Sequence, residues 1–290
     1  MLIVSSTPVK TDMLLGYNTN GFAHHRLKDS LTILAKLGYG SFAITLDHNA
    51  INPYAAKWNL ETGTTGGFLH KHKRGLRCVI ETGARFLLDP WEKHQPTLIS
   101  PDERDREKRI RFLCKALHIA QVLRADAVSF WSGTPVDQPG EKILWDRLVD
   151  GCRRVCDYAE QQKVRLAFEP EPGMFIDTMA RFAELKERVN RPLFGLTIDI
   201  GHLHCQGEVP ISDYLRQWKD WLWNVHIEDM RRGVHEHLMF GEGEIDFAPV
   251  LRTLDEIGYQ GGVHVELSRH SHDAVETARK AIAFLNRISS

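Results

Sequence analysis

The sequence predicts an α/β fold, a single (β/α)8 TIM barrel spanning residues 1–290, and three observations carry that prediction. Apolar, strand-like runs alternate with helix-like stretches from end to end, with no linker between them. Eight such runs can be counted, and 290 residues suit a barrel, which takes about 250 residues as one domain. In the second half, side chains of the metal-binding type stand where each run gives way to a loop. Their spacing is roughly 30 residues with one longer step, the length of a βα repeat. An open doubly wound sheet would also alternate. It would more often carry a glycine-rich phosphate turn after its first strand, and GYNTNG is a poor match to G-x-G-x-x-G.

The elements follow in order. LLGYN (14–18) reads as the first strand, and RLKDSLTILAKLG after it as an amphipathic helix that closes at Gly38. SFAITLD (41–47) is the second strand. A loop rich in Gly and Thr and a basic, helix-like HKHKRGL (70–76) lead to the third, RCVIET (77–82). The stretch 83–104, GARFLLDPWEKHQPTLISPDER, is the longest without periodicity. Long loops at a catalytic face serve as lids or binding loops, which places this one over the site. DERDREKRIRFLCKALHIAQVLRA has helical spacing and an acid-rich first turn that suits the helix dipole. DAVSFWSG is the fourth strand and KILWDRLVDGCRRVCDYAEQQ the next helix. VRLAFE, LFGLTID, LWNVHI and GGVHVEL supply strands five to eight, and DAVETARKAIAFLNRI is the last helix.

Composition narrows the function classes. The chain is 42% apolar and has no long uncharged apolar run, so it can bury a sizeable core and no membrane association is expected. MLIVSSTPVKTDM lacks a basic region followed by an apolar core and a small-residue cleavage site, which argues against a secretory signal. A formal net charge of −1 makes no demand for a nucleic-acid or anionic-membrane partner. Of the five cysteines, Cys152 and Cys156 lie four apart on one face of a helix, and no second pair is near to complete a four-cysteine zinc site. They read as packing residues, and reduced thiols fit a cytoplasmic protein. Homo-oligomerisation is left open.

The chemistry concentrates in the second half. In D-I-G-H, Asp199 offers a hard oxygen ligand at a strand end, the glycine lets the chain turn sharply, and His202 can point into the same cavity. His226 lies inside an apolar run but at its predicted C-terminal end. Glu266, in VHVELS, would be costly to bury without a cation or a strong donor. Glu169 and Glu171 stand two apart, and Pro170 and Pro172 end the strand around them. Glu169, last in its apolar run, is the better-placed ligand and Glu171 the substrate contact, although the roles can be exchanged. In a closed barrel these strand ends meet on one face, and carboxylates and imidazoles converging there bind a divalent ion.

Taken together, LAFEPEPG, GLTIDIGH, VHIED, HLMFGEGEIDFAPVLRTLDEIGYQGG and VHVELS resemble the xylose isomerase-like barrel family over most of residues 165–267. That family includes sugar-phosphate isomerases and epimerases, inosose dehydratases, ketose 3-epimerases and endonuclease IV. The resemblance implies one divalent ion (Mn, Zn or Mg) held by Glu169, Asp199, His226 or His202, and Glu266, with Glu169 and Glu266 exchanging a proton beside a carbonyl. It implies a small sugar or polyol substrate, phosphorylated or not, and an isomerase, epimerase or related dehydratase. The alternative is a zinc-dependent phosphodiesterase like endonuclease IV. Against it, His235 stands where such members carry Asp in an Asp-x-His pair that helps bind a further zinc ion. His235, His237 and His48 are the candidates for a second ion, with His237 as a substrate contact and His235 as a plain loop residue the preferred reading. His94, in the long loop, is a weaker candidate of the same kind. Arg269, beside His270 and His272, is placed to hold a phosphate or carboxylate, and Trp131 to wall a sugar ring or fill the core.

Overall fold

Short strands whose residues alternate between two apolar environments build the centre of this protein. The structure is a computed structural model that describes residues 13–72 and 75–289. Residues 1–12, which hold nearly all of the segment read for a secretory signal, and residues 73–74 of HKHKRGL lie outside the described residues. The strands are β1 (Leu14–Asn18), β2 (Ser41–Thr45), β3 (Arg77–Glu81), β4 (Val128–Phe130), β5 (Leu166–Phe168), β6 (Phe194–Asp199), β7 (Leu222–Ile227), β8 (Asp229–Arg231), β9 (Val234–Leu238) and β10 (Gly262–Val265). The helices are α1 (Leu27–Leu37), α2 (Trp58–Lys71), α3 (Glu103–Leu123), α4 (Glu141–Gln162), α5 (Met179–Val189), α6 (Ile200–Cys205), α7 (Ile211–Trp218), α8 (Phe247–Glu256) and α9 (Ala274–Ile288).

Strands β1 to β7 pair in parallel in sequence order, and β10 closes the ring between β7 and β1. Tyr17 is the hinge of closure, in register with Val265 on one side and Phe42 on the other. The eight-stranded closed barrel is the predicted fold. Helix ends follow the sequence signals. Gly38 adopts φ 108 and its N–H bonds the carbonyl of Ala35, stopping α1 where predicted. Asp102 caps α3 by accepting from the Arg104 N–H.

Two segments differ from the sequence reading. Residues 58–71, read as mainly a Gly- and Thr-rich loop, form α2. The Thr62 and Thr64 hydroxyls donate to the carbonyls of Trp58 and Leu60, each at 2.8 Å. Gly66 faces α3, where a Cβ would make ordinary contact with Leu123 at 3.4 Å. Packing against the neighbouring helix overrides weak local propensity here. Of HKHKRGL, His70 and Lys71 end α2. The second difference is the antiparallel hairpin β8–β9, which the periodicity did not reveal.

The main core lies between barrel and helices, where Phe130, Phe168, Phe182 and Phe194 stack on one another. The five cysteines are free, with Cys152 and Cys156 buried in α4 as packing residues. Inside the barrel the filling is divided. Ala43, Val79, Ala127 and Ala167 form a small apolar cluster on the β2–β5 side. Polar groups from β2, β4, β6, β7 and β10 fill the rest of the centre. Ser41 Oγ lies 2.9 Å from His264 Nε2, and His264 Nδ1–H donates to Asn224 Oδ1 at 2.9 Å. The Thr197 hydroxyl meets Ser129 Oγ at 3.0 Å. His264 is fully buried, which pushes its pKa down to about 3, so it is neutral. It has room because Gly16 and Gly262 flank it: a Cβ at either would come within 2.4 Å of the ring.

Candidate metal centre

The polar chain leads directly to the C-terminal mouth of the barrel. On β7, Asn224 and His226 alternate with the apolar Val225 and Ile227, so a two-residue period delivers both polar side chains to the interior. His226 is the hub. Its Nδ1 lies 3.0 Å from Glu169 Oε1, 2.9 Å from Glu266 Oε2 and 3.9 Å from Asp199 Oδ2. Its Nε2–H donates to Glu81 Oε1 at 2.9 Å. The Asn224 amide donates to the same Glu81 oxygen at 3.1 Å, which fixes that carboxylate as well. Burial disfavours a charged imidazole, but the three carboxylates of Glu169, Glu81 and Glu266 outweigh it and hold His226 well above its ordinary value.

Glu169, Asp199, His226 and Glu266 each offer an atom within 4.8 Å of the others. Burial pushes Glu169 up to about 8, only partly offset by His226. Burial also works against ionisation of Asp199 and Glu266. For Asp199 it is overcome by His202, a bond with the Glu228 carboxyl and the two further histidines His237 and His226. For Glu266 it is overcome by His226, His237 and the Asn20 amide, whose Nδ2 donates to Oε1 at 2.7 Å. Both carboxyls are held below the usual range. Asp199 Oδ1 accepts the His202 backbone N–H at 2.8 Å, capping α6, while no N–H or alcohol hydroxyl donates to its buried Oδ2. A buried carboxylate oxygen so poorly served is costly unless a cation takes it. Three carboxylates and one imidazole form a mixed oxygen–nitrogen set that suits Mn, Mg or Zn. The residues fit a divalent ion.

A second group lies beside the first. His202, His235 and His237 each offer an atom within 4.8 Å of the others. His202 Nδ1–H donates to the Pro170 carbonyl at 3.3 Å, which turns Nε2 towards His235 Nε2, 3.1 Å away. His237 Nδ1–H donates to the Glu266 carbonyl at 3.1 Å. Burial brings His202 down to about 4, so it is a neutral donor. Asp199, Glu228 and His237 form a third such grouping that joins the other two.

The structure therefore sorts the sequence candidates. Glu169 enters the four-residue group, whereas Glu171 is half-buried in the cavity wall and outside it. His226 joins that group, and His202 joins the other histidines. His235 and His237 sit on β9, not on a loop. His48 is exposed, lines other cavities and enters neither group. Arg269 stands at the cavity rim bonded to Glu236 Oε1 at 2.8 Å. Trp131 is 6% exposed, lines the cavity and is covered by the Arg109 guanidinium 4.4 Å from its ring. His94, from the long loop, lines the same cavity of about 450 Å³. Gly201 of D-I-G-H makes no sharp turn, since it lies within α6. It is needed because a Cβ there would meet Glu228 Oε1 at 2.1 Å.

Three site residues went unread in the sequence. Glu81 ends its apolar run RCVIET much as Glu169 ends VRLAFE, so the rule that found one would have found the other. Asn224 is visible only once the inward face of β7 is known. Glu228 follows His226 by two and is fully buried. Burial and the neighbouring Asp199 push its carboxyl well above the usual range.

Comparison with known proteins agrees with this architecture. The chain is 23% identical to L-ribulose-5-phosphate 3-epimerase UlaE of Escherichia coli (strain SMS-3-5 / SECEC) over 255 residues, 87% of this chain and 86% of that protein. It is 28% identical to inosose dehydratase of Lacticaseibacillus casei over 161 residues, 49% of this chain and 54% of that protein. The solved structure described as the IOLI protein with a binding zinc atom superposes with a TM-score of 0.72 at 21% identity, covering 94% of this chain and 98% of that one. Among the described residues no helix is long and apolar enough to cross a membrane. The family description "Xylose isomerase-like TIM barrel" matches residues 31–288, and the chain belongs to that family.

Proposed function

We propose that this protein is a divalent-metal-dependent epimerase or isomerase of a small sugar, working by proton transfer at a carbon next to a carbonyl. The observation that carries the reading is the approach of Glu169 and Glu266, from strands three places apart in the barrel, to the same His226 nitrogen at 3.0 and 2.9 Å. A divalent ion held by Glu169, Asp199, His226 and Glu266 supplies Lewis-acid polarisation of the substrate carbonyl, which a carboxylate base alone cannot replace. Glu266 is the base that removes the proton, since it is ionised and oriented by the Asn20 amide. Glu169 returns a proton to the same carbon from the opposite face. Glu171 and His202, lining the cavity beside them, contact substrate hydroxyls, and Trp131 and His94 exclude water from one wall.

The test is made on wild-type protein purified without chelator. At least one tightly bound divalent ion per chain is expected, and a ketose substrate is expected to take up solvent deuterium at the epimerised carbon. A metal-free protein, or metal-loaded protein that exchanges no proton with any ketose, would sink the reading. A second reading, a multi-ion phosphodiesterase, is favoured by the adjacent histidine group. It calls for two or more ions per chain and cleavage of a phosphodiester.

Glu81 is a positioning residue in this scheme, acting through the His226 ring. Glu81→Gln is expected to weaken metal affinity about 10- to 100-fold, as loss of a carboxylate behind a ligating histidine does elsewhere. Chelator competition measures it, and an unchanged affinity would remove Glu81 from that role.

A further inference from the structure

The two ends of the candidate cavity are chemically opposite. Its floor is the carboxylate-rich group around His226, whereas the loop after β3 brings cations to one wall, where Arg85 and Lys93 both line the cavity. The His94 N–H bonds the Arg85 carbonyl at 2.6 Å and pinches this loop, which brings the backbones of the two cationic residues together. Arg85 also stands at a doorway. A second chamber of about 310 Å³ opens beyond it, sharing Asn20, Thr45 and Arg85 with the first.

Arg85 is ion-paired through its Nε and leaves its Nη1 group open. Its Nε lies 3.4 Å from Asp47 Oδ2, and one Nη2 contact of 3.4 Å reaches the Asn20 carbonyl. Neither Nη1 of Arg85 nor the Lys93 ammonium has a hydrogen-bond or ion-pair partner among the described residues. Arg269, by contrast, is already bonded to Glu236. Asn20 sets the span, since its carbonyl receives Arg85 while its side chain holds Glu266. Arg85 and the candidate base are therefore tied to the same residue, within one cavity.

In the epimerase reading the carbonyl end of the substrate occupies the metal-binding floor, so an anionic group at its other end has to be held elsewhere in the cavity. At the doorway the unengaged Nη1 group of Arg85 can donate to a phosphate oxygen, and a lysine adds a point charge. The chamber beyond contributes His24, His25 and His48, and its one acid is Asp47, already engaged by Arg85. We propose that Arg85, with Lys93 beside it, binds a phosphate monoester at the end of the substrate away from the reacting carbonyl, so that the substrate is a phosphorylated ketose. The inference rests on the epimerase reading above for the identity of the reacting end.

The test uses the full-length, metal-loaded protein and compares a ketopentose phosphate with the same ketopentose unphosphorylated, following deuterium uptake and epimerisation. Wild-type kcat/KM is expected to favour the phosphate ester by about 10²-fold or more, as a site built around a polar group discriminates against its absence. Arg85→Gln is expected to lose about 10²-fold on the phosphate ester and at least tenfold less on the free sugar. Calorimetry should find inorganic phosphate bound about tenfold more weakly by this variant. Equal kcat/KM for the two wild-type substrates, equal losses on both in Arg85→Gln, or a stronger preference for a carboxylate-bearing ketose would overturn the proposal. If no ketose reacts while phosphate binding still depends on Arg85, the epimerase reading fails and the subsite stands. Phosphate binding indifferent to Arg85 removes the subsite whatever the activity.

Discussion

Glu266→Gln is expected to lower epimerisation by about 10⁴-fold, the upper range for removing a general base. The glutamate is placed for that role by three partners. His226 Nδ1 lies 2.9 Å from Oε2, the Asn20 amide donates to Oε1, and the His237 ring is bonded to the Glu266 carbonyl. Together they hold the carboxylate ionised despite its burial. Glutamine keeps the shape and one acceptor oxygen but cannot take a proton. The loss should therefore fall on kcat, with solvent deuterium uptake abolished and the thermal transition near that of the wild type. Undiminished uptake would strip Glu266 of the base role. Loss of uptake together with loss of the ion would instead make it chiefly a ligand, so metal content is measured on the same sample.

Asp199→Asn is expected to remove most of the bound ion and, with it, activity to a degree matching chelator treatment of the wild type. The substitution separates two jobs of one side chain. Oδ1 caps α6 through the His202 N–H, and an asparagine oxygen does this equally well. Oδ2 faces only buried carboxyls and imidazoles, so its charge matters chiefly when a cation is bound there. Removing that charge from a group of acids relieves repulsion in the ion-free protein. The metal-free variant should melt no lower than metal-free wild type while the stabilisation conferred by added metal disappears. A variant that retains a full complement of ion would exclude Asp199 as a ligand.

The sequence was most legible where a polar residue ends an apolar run. Glu169, Asp199, His226 and Glu266 were all found that way, because barrel closure carries every strand end to one mouth whatever lies between. Within strands the signal fades. Asn224 and His264 sit in runs that read as continuous core, and nothing local tells an inward position from an outward one. Gly201 was read as a turn because its neighbours are local. Its actual constraint comes from Glu228, 27 residues away and on a different strand end. The helix α2 was hidden for the opposite reason: its Gly and Thr residues carry little helical preference, and what holds it is the face of α3. The choice between His202 and His226 could not be made from spacing, since both reach the same mouth and only the side-chain network distinguishes them.

The mixed filling of the barrel gives its interior positions different freedom to change. Ala43, Val79, Ala127 and Ala167 pack as an apolar cluster, so swaps that conserve volume should be absorbed there. Ser41, His264 and Asn224 are linked donor to acceptor, and Asn224 and His226 both donate to Glu81, so any replacement that drops one bond strands a buried partner. In a random library, surviving variants should therefore accumulate at the apolar positions and be nearly absent from the polar ones, even where both stand on one strand, as Ser41 and Ala43 do on β2. Evolution towards a new substrate would have to work through the loops and the apolar positions, leaving the wired ones as an inherited fixture.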